Sequence, residues 1–152
     1  MKNCFFKTKT ISLLKENLWF NVSFKNKEDL TPINFGYNSM KINDDFMCND
    51  NRLISLEGAP KIVKANFWCE NNELTTLKGA PRKVNGIFSC YHNKLTTLQD
   101  APQYIGGSFV CSYNQLTTLQ GAPQYVGGSF SCKNNAKRFT KADVRAVCEV
   151  KG

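Results

Sequence analysis

The chain has 152 residues, 41% of them hydrophobic, and a formal net charge of +8 at pH 7. That length suits one domain, and no apolar run approaches the roughly 20 residues of a membrane span. The N-terminal Met-Lys-Asn-Cys-Phe-Phe-Lys-Thr-Lys is basic but lacks the apolar core of a signal peptide, so the expectation is a soluble, cytoplasmic protein (in a host cell's cytoplasm if it is viral) with no membrane contact.

Residues 1–41 follow no repeat. Ile11 to Phe20 reads as a short amphipathic helix, and Phe20 to Phe24 alternates like a strand. Lys25 to Asp29 is a turn signal, and Pro32 and Gly36 interrupt the segment after it. The open end of a stacked array exposes core and strand edge, so this region is expected to be an N-terminal cap.

From Phe46 the chain repeats. Phe46, Phe67, Phe88, Phe109 and Phe130 are spaced by 21 residues. Two residues after each stands a cysteine (Cys48, Cys69, Cys90, Cys111, Cys132), and three further on an asparagine (Asn51, Asn72, Asn93, Asn114, Asn135). Leucines, a Gly-Ala-Pro or Asp-Ala-Pro step and a closing Val or Ile complete four of the lines. Such a period marks a solenoid, in which each coil buries its apolar side chains only against its neighbours. The expected solenoid spans residues 42–136, with a partial coil starting at Ile42, which lies 21 residues before Val63.

Phe-x-Cys alternates with period two, giving a short strand with Phe and Cys inward. Coils in register pair these strands in parallel as one sheet. The Asn stands where the chain turns, and its amide can bond backbone groups that stacked turns otherwise leave unpaired. The five column cysteines read as small buried apolar residues. Parallel Cβ vectors hold their Cβ atoms too far apart for easy bridging, and a straight column cannot wrap four thiolates around one zinc. No cofactor or metal is expected. Cys4 and Cys148 lie outside the column and are expected to be exposed.

The Phe-x-Cys-x-x-Asn-x-Leu run resembles the Leu-x-Leu-x-x-Asn-x-Leu core of leucine-rich repeats. The short unit with Pro in its return arm is most similar to the bacterial effector subclass. Leu-Thr-x-Leu-x-Gly-Ala-Pro arrays of this kind also occur in small proteins of tailed phages and large viruses. The resemblance covers about two-thirds of the chain. It implies a β-rich, right-handed solenoid of about five coils whose parallel sheet binds partners on its concave face. The ubiquitin-ligase domain of that subclass is not implied, because the segment after Asn135 is too short for it.

On the outward face, Asp45, Asn66, Ile87, Ser108 and Ser129 precede the Phe column. Met47, Trp68, Ser89, Val110 and Ser131 lie between Phe and Cys, and Asn49, Glu70, Tyr91, Ser112 and Lys133 come after Cys. Met47, Trp68, Ile87, Tyr91 and Val110 are large and apolar where no core needs filling. Aromatics and Met are enriched at interfaces, Trp and Tyr at hot spots. Asn49, Asn66 and Glu70 give the patch a polar rim. These eight residues are the candidate partner-binding site, unless the N-terminal cap folds over them. Tyr104 and Tyr125, on the opposite side, are expected to cover the return arms.

The repeat ends at Lys137. Thr140-Lys-Ala-Asp143 reads as a capping box, with Asp in place of Glu, opening a basic C-terminal capping helix within residues 137–152. Ala142, Val144, Ala146, Val147 and Cys148 would form its apolar face. Half of the +8 sits in the last twenty residues, which hold six Lys or Arg against two acids.

No catalytic constellation stands out. The single histidine, His92, has no nucleophile aligned with it and reads as a solvated loop residue. The sequence therefore points to a non-catalytic protein-binding module, such as a viral or bacterial accessory factor that blocks a host enzyme, defence protein or toxin. Two other readings remain: nucleic-acid binding through the basic tail, and a self-associating structural subunit.

Overall fold

The computed structural model describes residues 41–152, and the chain there is a β-solenoid of about five turns with a period near 21 residues. The expected cap, its helix and strand, and Cys4 lie outside the described residues. Each turn carries two strands of two residues. The first set is β1 (Lys41–Ile42), β3 (Ile62–Val63), β5 (Lys83–Val84), β7 (Tyr104–Ile105), β9 (Tyr125–Val126) and β11 (Glu149–Val150). The second set is β2 (Phe46–Met47), β4 (Phe67–Trp68), β6 (Phe88–Ser89), β8 (Phe109–Val110) and β10 (Phe130–Ser131). All pairs are parallel, with each Phe opposite the next. Ile42 pairs with Val63, in register with the 21-residue period.

The Phe-x-Cys sheet is as expected, but it is not the only one: a six-stranded sheet runs beside the five-stranded one. Four of its strands, β3, β5, β7 and β9, come from the segment after each Ala-Pro. There Val63, Val84, Ile105 and Val126 are fully buried, and their backbones pair coil to coil.

The core is a set of columns. Phe67, Phe88, Phe109, Cys69, Cys90, Cys111, Leu74, Leu95 and Leu116 have no exposed surface. Successive Phe rings from Phe46 to Phe88 stack at 5.0 and 5.2 Å. The Asn column closes the turn as its chemistry suggests. The Asn93 amide donates to the carbonyls of Cys69 (3.0 Å), Cys90 (3.1 Å) and Tyr91 (3.3 Å). Its oxygen accepts the Leu74 N–H at 3.0 Å. Asn72 and Asn114 repeat the set.

Two turn positions need left-handed backbone. Gly58, Gly79 and Gly121, in Gly-Ala-Pro, have φ of 90, 91 and 82°, and Asp100 takes that place at 66°. The residue before each Asn is also left-handed: Asp50, Asn71, His92, Tyr113 and Asn134 lie between 51 and 57°. Asn, Asp and His tolerate this region; a bulky Tyr is an outlier.

At the far end, α1 (Lys141–Arg145) opens on the expected capping box. The Asp143 N–H donates to Thr140 Oγ1 at 3.2 Å, and the Thr140 N–H to Asp143 Oδ2 at 2.7 Å. The helix is shorter than expected. Only Val144 and Cys148 of the supposed apolar face are buried, while Ala142, Ala146 and Val147 are exposed. After the helix the chain joins the edge of the six-stranded sheet as β11. The Glu149 N–H bonds the Gln124 carbonyl and the Lys151 N–H the Val126 carbonyl, both at 3.0 Å. Cys148, expected to be exposed, is carried inward by this turn into β11 and is 5% exposed.

Candidate functional site

The outward face of the five-stranded sheet is built by strict register. Met47, Trp68, Ser89, Val110 and Ser131 are successive ladder partners. Ile87 and Tyr91 flank Ser89 at two residues on either side and share its face. Met47, Trp68, Ile87, Tyr91 and Val110 are all half-buried. Ser89, small among these larger neighbours, is fully buried, and its hydroxyl donates to Glu70 Oε1 at 2.5 Å. The face therefore carries a closely set apolar patch over a satisfied polar centre. Among the described residues no acceptor meets the Trp68 indole N–H.

The rim is more engaged internally than composition suggests. The Asn66 oxygen accepts the Ile87 N–H at 2.8 Å, and its amide donates to Asp45 Oδ1 at 3.1 Å. Asp45 in turn accepts the Asn66 backbone N–H at 2.9 Å. These side chains stitch adjacent coils together just ahead of the strands. Asn49 donates to Asp50 Oδ2 at 2.7 Å at the surface. Ser112 is buried and hydrogen-bonded to Ser131 Oγ at 2.9 Å, so the C-terminal serines also support the sheet.

The patch extends to a residue that sequence reasoning left out. Tyr113 is 47% exposed, and its ring lies 5.1 Å from that of Tyr91, with the His92 ring 6.0 Å from Tyr91 as well. Both Tyr113 and His92 occupy the left-handed column, which turns their side chains toward the same margin as Tyr91. Asp50, Asn71, His92 and Asn134 in this column are types that favour this conformation, and Tyr113 breaks that composition.

Burial pushes the Cys69, Cys90 and Cys111 thiols up, with neighbouring column cysteines adding to the effect at Cys69 and Cys111. They remain neutral thiols, poor as nucleophiles and as metal ligands. Among the described residues no three His, Cys, Asp or Glu converge as a ligand set. No helix among them is long and apolar enough to cross a membrane.

On the opposite sheet, the outward residues Ile62, Lys83, Tyr104 and Tyr125 are ladder partners. Tyr104 and Tyr125 stack at 5.0 Å and 9°, and the Lys83 ammonium lies 4.6 Å from the Tyr104 ring centre. Tyr104 is 39% exposed and Tyr125 half-buried, so this stack lies at the surface.

No protein-family model, curated protein or solved structure matches this chain.

Proposed function

We propose that this protein is a non-catalytic binding module that holds a partner protein on its five-stranded sheet. Trp68 and Tyr91 are the anchors, Met47, Ile87 and Val110 the apolar surround, and Asn49, Asn66 and Glu70 the rim. What supports the reading most is the group of four large half-buried side chains, Trp68, Ile87, Tyr91 and Val110, around the buried Ser89. A solvent-facing sheet surface needs none of them for its core, and such clusters mark interaction sites.

The Phe-x-Cys-x-x-Asn-x-Leu repeat places the chain, in this reading, with leucine-rich repeats of the short bacterial-effector and phage type. A small binding scaffold of that type suits a viral or bacterial accessory protein acting in the cytoplasm, one that occludes a host enzyme, defence factor or toxin. The net charge of +8 would speed encounter with an acidic partner. The test is affinity capture from an extract of the source cell with the wild-type chain and with W68A/Y91A. A partner held by the first and lost by the second supports the assignment; equal capture by both moves the site elsewhere.

A further inference from the structure

The two sheets do not end together. The first has six strands because β11 docks on β9, whereas the second stops at β10 with five. Among the described residues no strand pairs with β10 on the side away from β8. In every preceding coil the Phe and Cys N–H groups donate to the next coil, as Phe109 does to the Ser129 carbonyl and Cys111 to the Ser131 carbonyl, both at 2.9 Å. The N–H groups of Phe130 and Cys132 have no such partner among the described residues. The Phe130 ring, packed edge-on against Phe109 at 4.9 Å, is only half-buried.

This vacant strand position opens into a cleft of about 930 Å³. Its floor is Phe130, Cys132, Phe139, Val144 and Val150. Lys133, Arg138, Lys141 and Arg145 line it and are exposed, and no acidic residue lines it among the described residues. The nearby Asp143 carboxylate is committed to the Thr140 cap.

We propose that this cleft takes an extended acidic peptide segment of a partner protein as a sixth strand beside β10. The N–H groups of Phe130 and Cys132 require carbonyls at strand spacing, which a peptide backbone supplies. An apolar side chain of that segment covers the Phe130 ring and continues the Phe column. Flanking carboxylates meet the four cations, and Arg138 and Arg145 can bind them in bidentate fashion. Nucleic acid offers the charge but not the strand, so it fits the lysines and arginines without satisfying the edge. This site is separate from the patch around Trp68.

The experiment is fluorescence anisotropy with a labelled Glu-Ser-Phe-Ser-Glu-Asp peptide. Its controls are the same peptide N-methylated at alternate amides, a version with Lys in place of each acid, and a single-stranded oligothymidylate. The acidic peptide is expected to bind with a micromolar Kd. N-methylation, acid-to-Lys replacement and R138E/R145E should each weaken it at least tenfold, while W68A leaves it unchanged. Circular dichroism of R138E/R145E confirms that these exposed positions leave the fold intact. Equal affinity for the N-methylated peptide, tighter binding of the oligonucleotide, no binding of the acidic peptide, or loss of binding with W68A would each overturn the proposal.

Discussion

Asn93 and Cys69 lie 24 residues apart in sequence yet are joined by a 3.0 Å hydrogen bond from the Asn93 amide to the Cys69 carbonyl. That bond crosses from one coil to the one before, and it recurs from Asn72 to Cys48, Asn114 to Cys90 and Asn135 to Cys111. The asparagines thus connect coils through side chains as the ladders do through backbone.

Replacing Asn93 with Ala leaves the carbonyls of Cys69 and Cys90 each with one amide partner, from Asn72 and Asn114. The buried Leu74 N–H loses its acceptor. One orphaned buried donor and three weakened acceptors, the Tyr91 carbonyl among them, are expected to cost about 2–3 kcal/mol in urea unfolding. Asn135, half-buried in the last coil, should cost less, about 1 kcal/mol, when changed to Ala. Equal costs at the two positions would mean that burial does not set the value of the ladder.

At Tyr113, with φ at 57°, side-chain type should rank by tolerance of left-handed backbone. Asn, which fills the same place at Asn71 and Asn134, should match or exceed Tyr in stability. Y113V, β-branched, should fall about 1–2 kcal/mol below Y113N. If Val and Asn have the same melting temperature, the turn does not hold the backbone as described.

Gly107 meets a different constraint. A Cβ there would lie 2.7 Å from the Gly86 carbonyl carbon of the preceding coil, against backbone that cannot move alone. G107A is expected to destabilise by about 2–3 kcal/mol through overpacking, although Ala is a sound choice by local conformation. A neutral G107A would require looser stacking between coils.

The buried thiols make stability pH-dependent. Folding raises the pKa of Cys69, Cys90 and Cys111 by desolvation. The unfolded chain loses these protons at about pH 8.5 while the folded chain keeps them, so the stabilisation present below that pH declines as pH rises. Each thiol contributes a slope of about 1.4 kcal/mol per pH unit, or about 4 kcal/mol for the three together. The urea midpoint should therefore fall steeply between pH 9 and 10, and C90A should remove about 1.4 kcal/mol per pH unit of that slope. The three thiols should also resist alkylation at pH 8 until the protein is unfolded. A midpoint independent of pH over that range would contradict the column's burial.

The solenoid was legible because five lines repeat Phe, Cys and Asn without an insertion. The second sheet was not, because its two-residue strands have only one constant position each. Val63, Val84, Ile105 and Val126 recur, but their partners are Ile62, Lys83, Tyr104 and Tyr125, and a pair of residues shows no alternation. At the C-terminus, Thr140 and Asp143 announced a helix start correctly, while its end depended on β11 finding the edge at Val126, a long-range event. On the outward face, residue size singled out Trp68 and Tyr91, both half-buried there. It did not reveal that Asn66 spends its amide on neighbouring coils, since the same residue type serves rim and scaffold alike.

The most direct measurement replaces Trp68 with a photo-crosslinking phenylalanine analogue and compares it with the same replacement at Tyr104 on the opposite sheet. After irradiation in extract of the source cell, one discrete crosslinked partner is expected from position 68 and none from position 104. Crosslinks arising only from position 104, or equally from both, would contradict the assignment of the five-stranded sheet as the binding face.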